Sequence, residues 1–237
     1  VVDSIGGGIC QVSTTLYNAV LRAELEVTER HNHSMIVTYV KPSMDAAIAG
    51  DYKDLKFVNN LDAPIYIEGY TVGKDIYFNI YGQETRPSNR KVTYESEVVS
   101  EEDPGTQFVA TGDAIGSIST TQGKHMGYVA RLWKIVTVDG VEQSRDAINK
   151  STYKSSPKIV NVGTASADPN AVAAVNAALA TGDEATIYAT VAQYSGAGQT
   201  PSEAPAEAPA DSSAEAAAIL GTVDESQITG NTTTEGQ

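Results

Sequence analysis

After Leu25 the chain stops repeating apolar residues at helical spacing and breaks into short runs rich in β-branched and aromatic residues, which confines it to a helix followed by sheet. The runs are Met35 to Val40, Leu55 to Val58, Ile65 to Thr71 and Ile76 to Tyr81, separated by Pro42, Asn59-Asn60 and Gly73-Lys74-Asp75. Ahead of them Ile9, Val12, Leu16, Val20 and Ala23 recur every three or four residues and predict the buried stripe of an amphipathic helix. Cys10, Ser13 or Thr14, Tyr17 and Leu21 fall on a neighbouring face. Gly73-Lys74 between two alternating runs predicts a hairpin. Residues 1–82 therefore read as an α+β block, an N-terminal helix packed on antiparallel strands.

A polar stretch with one proline, residues 83–91, leads into a second block at 92–164. Its strand runs are Val92 to Val99, Asp113 to Ser117, His125 to Val138 and Ser151 to Val162, and Asp139-Gly140 is a strong hairpin signal. The alternation leaves little apolar mass to bury, so a slender all-β module is expected, with His125 on a surface strand. Beyond it, residues 165–237 are rich in alanine, proline and acid. Asp168-Pro169 followed by an alanine-rich run ending at Gly182 reads as a capped helix, and the Ala/Pro/acidic stretch from Gly196 reads as disordered, because it cannot bury enough apolar surface to offset ordering entropy.

The formal charge of −14 is uneven: all 16 Lys and Arg lie before residue 164, whereas the tail after it carries acids and no base. A chain with this balance and no basic stripe is unsuited to nucleic acid, where phosphate neutralisation supplies most of the affinity. No segment has the apolar length of a membrane span, and Val1-Val2-Asp3-Ser4 carries no signal-peptide pattern, so the sequence reads as beginning inside a domain. One cysteine forms no internal disulfide.

That cysteine is the main candidate for chemistry. Gly6-Gly7-Gly8 allow a tight turn and close ligand approach, and Cys10 falls in the first helical turn, where unpaired N–H groups favour a thiolate or another anion. His31 and His33 are candidate general bases, and Asp45 or Asn59 is a candidate to orient the imidazole. The resulting enzyme would be a cysteine-nucleophile amidase, peptidase or transpeptidase. The alternative is a binding or structural role, with Cys10 as a small buried apolar residue and Gly6, Gly7, Gly8, Gln11 and Ser13 as a cradle for an anion such as a peptide carboxylate. On a strand the two histidines would face the same side, but with one distant thiol they are too few for a metal site. The triple glycine lacks the Gly-Lys-Ser/Thr of a nucleotide loop, and no cofactor is called for.

The stretch Gly6-Gly7-Gly8-Ile9-Cys10-Gln11-Val12-Ser13-Thr14-Thr15-Leu16-Tyr17-Asn18-Ala19, with Glu29-Arg30-His31-Asn32-His33-Ser34, Asp45-Ala46-Ala47 and Lys56-Phe57-Val58-Asn59-Asn60, strongly resembles the VanW family. The family's domain starts upstream of this sequence, which implies truncation at its N-terminus. Glu24 stands where the family usually has a helix-ending glycine, and Ala47 where threonine is common. The segments Thr111-Gly112-Asp113-Ala114-Ile115-Gly116, Val138-Asp139-Gly140-Val141-Glu142 and Ser155-Ser156-Pro157-Lys158-Ile159-Val160-Asn161-Val162-Gly163-Thr164 resemble the G-five domain, a slender β module linked to wall-sugar binding. Together these resemblances imply a bacterial protein outside the membrane, at the cell surface. Its expected partner is peptidoglycan or cell-wall polysaccharide, and some VanW relatives are encoded beside vancomycin-resistance genes.

Overall fold

The computed structural model describes residues 7–195, so Gly6 and the stretch from Gly196 onward lie outside the described residues. Helix α1 (Ile9–Arg22) is followed by two two-stranded antiparallel sheets, β1 (Glu26–Glu29) with β2 (Lys56–Val58), joined by the long 30–55 connection, and the hairpin of β3 (Tyr66–Val72) with β4 (Asp75–Tyr81). Strands β5 (Arg90–Glu102), β8 (Gly127–Val138) and β9 (Val141–Tyr153) form one three-stranded sheet. A second contains β6 (Thr106–Ala114), β10 (Lys158–Ala165) and β7 (Ile118–Gln122), and helices α2 (Pro169–Thr181) and α3 (Glu184–Tyr194) follow. The architecture is α+β.

Helix α1 starts where its spacing predicts but buries a different face. Ile9 and Val12 remain 50% and 38% exposed, whereas Ser13, Thr14, Tyr17, Asn18, Val20 and Leu21 are buried. The reason lies in what packs on the helix. Residues 43–47 lie outside the named strands, so their backbone groups need other partners. Ser13 Oγ donates to Ala46 O at 2.6 Å, Asn18 Nδ2 donates to Met44 O at 2.8 Å, and Ala46 N donates to Thr14 Oγ1 at 3.0 Å. A polar helix face thus replaces a neighbouring strand.

The end of α1 departs from the usual glycine solution. Leu25 N donates to Val20 O and Glu24 N to Leu21 O, the paired bonds of a Schellman cap. Glu24 occupies the left-handed position, with φ of 56°. Its carboxylate is held by Arg90 Nη1 at 2.5 Å, Lys134 Nζ at 2.6 Å and Arg86 Nη1 at 3.4 Å. The cations come from the 83–89 connection and from strands β5 and β8, so the strained cap joins the helix to the β5–β8–β9 sheet.

The run Met35 to Val40 is not a strand, contrary to the sequence expectation. The residues just before it are held by isolated bonds and not by a ladder: Asn32 Nδ2 donates to Thr152 O, Lys154 N to Ser34 O, and Ala47 N to His31 O. Within β3–β4 the two-residue turn falls at Gly73-Lys74 as expected, with Val72 opposite Asp75 and Gly73 at φ 62°. Tyr66 pairs with Tyr81, Glu68 with Asn79 and Tyr70 with Tyr77, placing four tyrosines on one face of the hairpin.

The β8–β9 turn has Asp139 and Gly140 at φ 51° and 77°, the two left-handed residues that a tight hairpin requires. The expected run Ser151 to Val162 is divided between β9 and β10, and Asp113 to Ser117 between β6 and the turn before β7. In the second sheet β10 lies antiparallel to β7 but parallel to β6. A Cβ at Gly163 would collide with the carbonyl of Ala114, so the close approach of β10 to β6 excludes a side chain there. Helix α2 has the anticipated Asp168 cap and Gly182 stop. Helix α3 was not legible, because its Ala- and Thr-rich sequence has little amphipathic contrast; only Ile187 and Val191 are buried. Both helices pack on β10 through a cluster of Val160, Val162, Val175, Ala178, Ile187 and Val191.

One face of the β5–β8–β9 sheet closes the core over α1. Leu132 is fully buried with Tyr17, Leu21, Val40, Met44 and Ala46. Tyr94 Oη donates to Leu21 O at 2.5 Å and Ser96 Oγ to Pro42 O at 2.6 Å. The Glu24 network makes this joint testable. Glu24→Ala and Glu24→Gly should both destabilise the protein, and Ala should cost about 1 kcal/mol more than Gly because it keeps the left-handed strain. Hydrogen bonding to Arg90 and then Lys134 outweighs burial and lowers the Glu24 carboxyl to about 2. Its stabilisation is therefore present above the unfolded carboxyl value and should be lost as pH falls through about 2. Urea unfolding of the three proteins across that pH range reads both effects.

Candidate functional site

Asp45 is fully buried and accepts hydrogen bonds from three side chains and one backbone amide. Arg30 Nη2 reaches Oδ1 at 2.7 Å, and Tyr153 Oη donates to the same oxygen at 2.5 Å. The backbone N–H of His33 and its ring Nδ1 both lie 2.7 Å from Oδ2. Arg30 Nε also donates to the Asp45 carbonyl at 2.6 Å, and its Nη1 to Ser151 Oγ at 2.8 Å. Burial alone would raise the Asp45 carboxyl, but His33, Arg30 and Tyr153 together hold it below the ordinary aspartate value.

The ring of His33 is thereby fixed. With Nδ1 on the Asp45 carboxylate, Nε2 is the nitrogen left for proton transfer, and the Tyr39 hydroxyl stands 3.4 Å from it. Tyr39 is itself raised by burial; its hydroxyl interacts with Thr14, and Cys10 and Asp45 lie close enough to raise it further. Tyr39 therefore stands between His33 and the helix face that carries Cys10. No pattern in the sequence marked Tyr39, because it lies inside a run that reads as a strand.

Cys10 is half-buried in the first turn of α1. Its Sγ lies 3.5 Å from both the carbonyl and the amide nitrogen of Ile48, and among the described residues these are its hydrogen-bond partners. It is not bonded to either histidine. His31 turns elsewhere, with Nε2 3.2 Å from Glu29 Oε1. The expectation that the histidines share one side does not hold, because residues 30–33 are not a strand and Asp45 captures His33 alone.

The other candidates separate in the same way. Gly7 and Gly8 are exposed in a turn; Gly8 is the N-cap at φ −100°, so it does not use a left-handed conformation. Gln11 is exposed, whereas Ser13 is buried with its hydroxyl on Ala46 O. Asn59 donates to Ala63 O within its own turn and does not reach the imidazole of His33. His125 is exposed and bridges Ser156 through the backbone. Among the described residues, no group of three or more His, Cys, Asp or Glu could hold a metal ion, and no helix is long and apolar enough to cross a membrane.

Arg30, Tyr153 and Ser151 were missed as partners in the sequence. Arg30 adjoins His31, but its role depends on a buried carboxylate fifteen residues later. Tyr153 lies 108 residues from Asp45, and nothing local marks their contact.

Known proteins resemble the chain in two segments. Residues 1–81 match the family model described as VanW like protein, and residues 84–165 match that of the G5 domain. The protein YoaR of Bacillus subtilis (strain 168) is 39% identical over 82 residues, which are 35% of this chain and 27% of YoaR. The chain thus matches 27% of that relative's length. A solved structure titled IgA1 Protease G5 domain is 26% identical, with a TM-score of 0.24, covering 32% of this chain and 94% of that one.

The Asp45 cluster predicts a defined response to acid. Asp45→Asn leaves Arg30 without its charged partner and should destabilise the protein by about 3–5 kcal/mol at neutral pH. The parent's carboxylate stabilises above the unfolded aspartate value and loses that contribution as pH falls through its lower folded value. Asp45→Asn should therefore flatten the acid limb of the stability curve, measured by chemical unfolding from neutral pH to about pH 3.

Proposed function

Because the chain joins a VanW-like domain to a G5 domain, we propose that it acts in the bacterial cell envelope, where it binds peptidoglycan or wall glycan. The observation that carries this reading is the tyrosine face of β3–β4. Tyr66 stacks on Tyr81 with centroids 6.0 Å apart, and Tyr70 on Tyr77 at 5.2 Å. Tyr66, Tyr70 and Tyr81 are 65%, 42% and 51% exposed. Between the pairs Glu68 accepts from Asn79 Nδ2 at 3.0 Å and from Tyr81 Oη at 3.1 Å. At the rise of a strand the pairs are about 13 Å apart, room for a short oligosaccharide. Aromatic surfaces suit the apolar C–H faces of sugar rings, and the carboxylate and amide suit their hydroxyls.

Co-sedimentation with purified cell wall tests this reading. Replacing Tyr70 and Tyr77 by alanine should weaken binding about three- to tenfold, the worth of one aromatic contact, while the far-ultraviolet spectrum stays unchanged. Removal of both tyrosine pairs with undiminished sedimentation would sink the assignment to this face.

The fixed His33–Asp45 pair favours a second reading, chemistry on peptidoglycan stem peptides. In it His33 Nε2 takes the proton of Cys10, the thiolate attacks an amide carbonyl, and the imidazolium returns the proton to the departing amine. Water or a second amine then resolves the thioester. The 3.4 Å contact from Tyr39 to His33 must open for this to occur. On this reading Cys10→Ala and His33→Ala both abolish release of wall peptides without loss of wall binding, as mass spectrometry of digested wall would report. Undiminished release from Cys10→Ala leaves binding as the function.

A further inference from the structure

Side chains alternate between the two faces of a strand, so Asn149, Ser151 and Tyr153 of β9 share the face that carries Leu132 and Ala130 of β8 toward the first domain. Each of the three bonds to residues 30–45, which hold the candidate site. Asn149 Nδ2 donates to Ser43 O at 3.0 Å, and Ser151 Oγ accepts from Arg30 Nη1 at 2.8 Å. Tyr153 Oη accepts from Ser43 N at 2.7 Å and donates to Asp45 Oδ1 at 2.5 Å. Main-chain groups of the same stretch hold the two neighbours of His33: Thr152 O accepts from Asn32 Nδ2 at 2.8 Å, and Lys154 N donates to Ser34 O at 2.7 Å. Ser151 and Tyr153 are buried, so water does not replace their bonds once these are lost.

The two oxygens of Asp45 are held differently. Oδ2 meets the N–H and Nδ1 of His33, within the first domain, whereas Oδ1 takes Tyr153 Oη and Arg30 Nη2, and Arg30 is itself braced by Ser151. Both holds on Oδ1 thus run through β9. The carboxylate torsion of an aspartate is broad, so the side chain by itself does not decide which oxygen meets His33. We propose that the second domain governs the His33 site from β9, with Tyr153 as a positioning residue that fixes the Asp45 carboxylate and, through it, the orientation and tautomer of the His33 ring. The site is complete only while the two domains are docked, and movement of β9 against residues 30–45 releases Nε2 from its fixed direction. The inference rests on the cysteine reading only for the reaction that His33 serves; the geometry of the ring stands without it.

The test uses the full chain and compares two variants. Tyr153→Phe keeps the ring and removes the hydroxyl, whereas Ser96→Ala removes another bond between the domains, from Ser96 Oγ to Pro42 O, that does not touch Asp45. Nuclear magnetic resonance of the His33 ring nitrogens and the Nδ1 proton, assigned by their disappearance in His33→Gln, reads the positioning directly. The parent and Ser96→Ala should show one tautomer, with a protected proton on Nδ1. In Tyr153→Phe that proton should exchange at least about tenfold faster, as expected for loss of a hydrogen bond to a charged group, and the ring nitrogens should average between the two tautomers. Ser151→Ala should produce a smaller change of the same kind, because Arg30 keeps its direct bond to Asp45. It carries the test if circular dichroism shows Tyr153→Phe unfolded. Where the parent releases wall peptides, Tyr153→Phe should slow the release about tenfold or more while wall sedimentation is retained. A ring signal equal to the parent's in the variant that folds overturns the proposal. So does an equal loss of the signal in Ser96→Ala, which marks a general loosening of the joint, or undiminished release by Tyr153→Phe. A parent that releases no peptide overturns the cysteine reading alone, because the ring signal still decides the positioning role.

Discussion

A fully buried, ionised Asp45 is the constraint on which the rest of the structure depends. A carboxylate removed from water is tolerated only when charge and hydrogen bonds replace the lost hydration. Here the replacements come from Arg30 and His33 in the first domain and from Tyr153 at the end of β9 in the second. Arg30 also spans to Ser151, and Tyr153 Oη accepts from the amide of Ser43 at 2.7 Å. Satisfying one charge therefore sets the path of residues 30–45 and the position of β9. The two domains are joined through a polar centre as well as through the apolar packing of Leu132.

The backbone around this centre carries the strain that follows. Ser43 has φ of 66° and is fully buried, and Glu24 has φ of 56° at the helix end. Conformations of this kind persist where surrounding contacts over-determine them. The chain from the Ser43 amide through Tyr153 to Asp45 does so at one end, and three cations do so at the other. The left-handed helix end at Glu24 is thus matched by partners that a glycine could not engage.

The same centre divides the possible activities. It holds His33 in one orientation but leaves Cys10 bonded to the Ile48 backbone, with Tyr39 alongside the free ring nitrogen. The tyrosine face of β3–β4 needs no such rearrangement, since Tyr66, Tyr70 and Tyr81 are already exposed. Binding is therefore the reading supported by the arrangement as it stands, and the cysteine chemistry requires a side-chain movement.

Features set by local pattern were legible in the sequence: the start of α1 after the glycines, the Gly73-Lys74 and Asp139-Gly140 hairpins, and the Asp168 and Gly182 caps. In each, the residue's own conformational preference or short-range hydrogen bond decides the geometry. The buried face of α1 was not legible, because apolar periodicity points to Ile9 and Val12 while the irregular 43–47 segment demands Ser13, Thr14 and Asn18. The loop at 35–40 was likewise hidden behind strand-like composition. In the candidate site, Cys10, His33 and Asp45 could be named from sequence, but pairing His33 rather than His31 with Asp45 was a tertiary choice. Hydration of a buried charge is replaced by whatever donors the fold brings within reach, and those separated by a hundred residues leave no local trace.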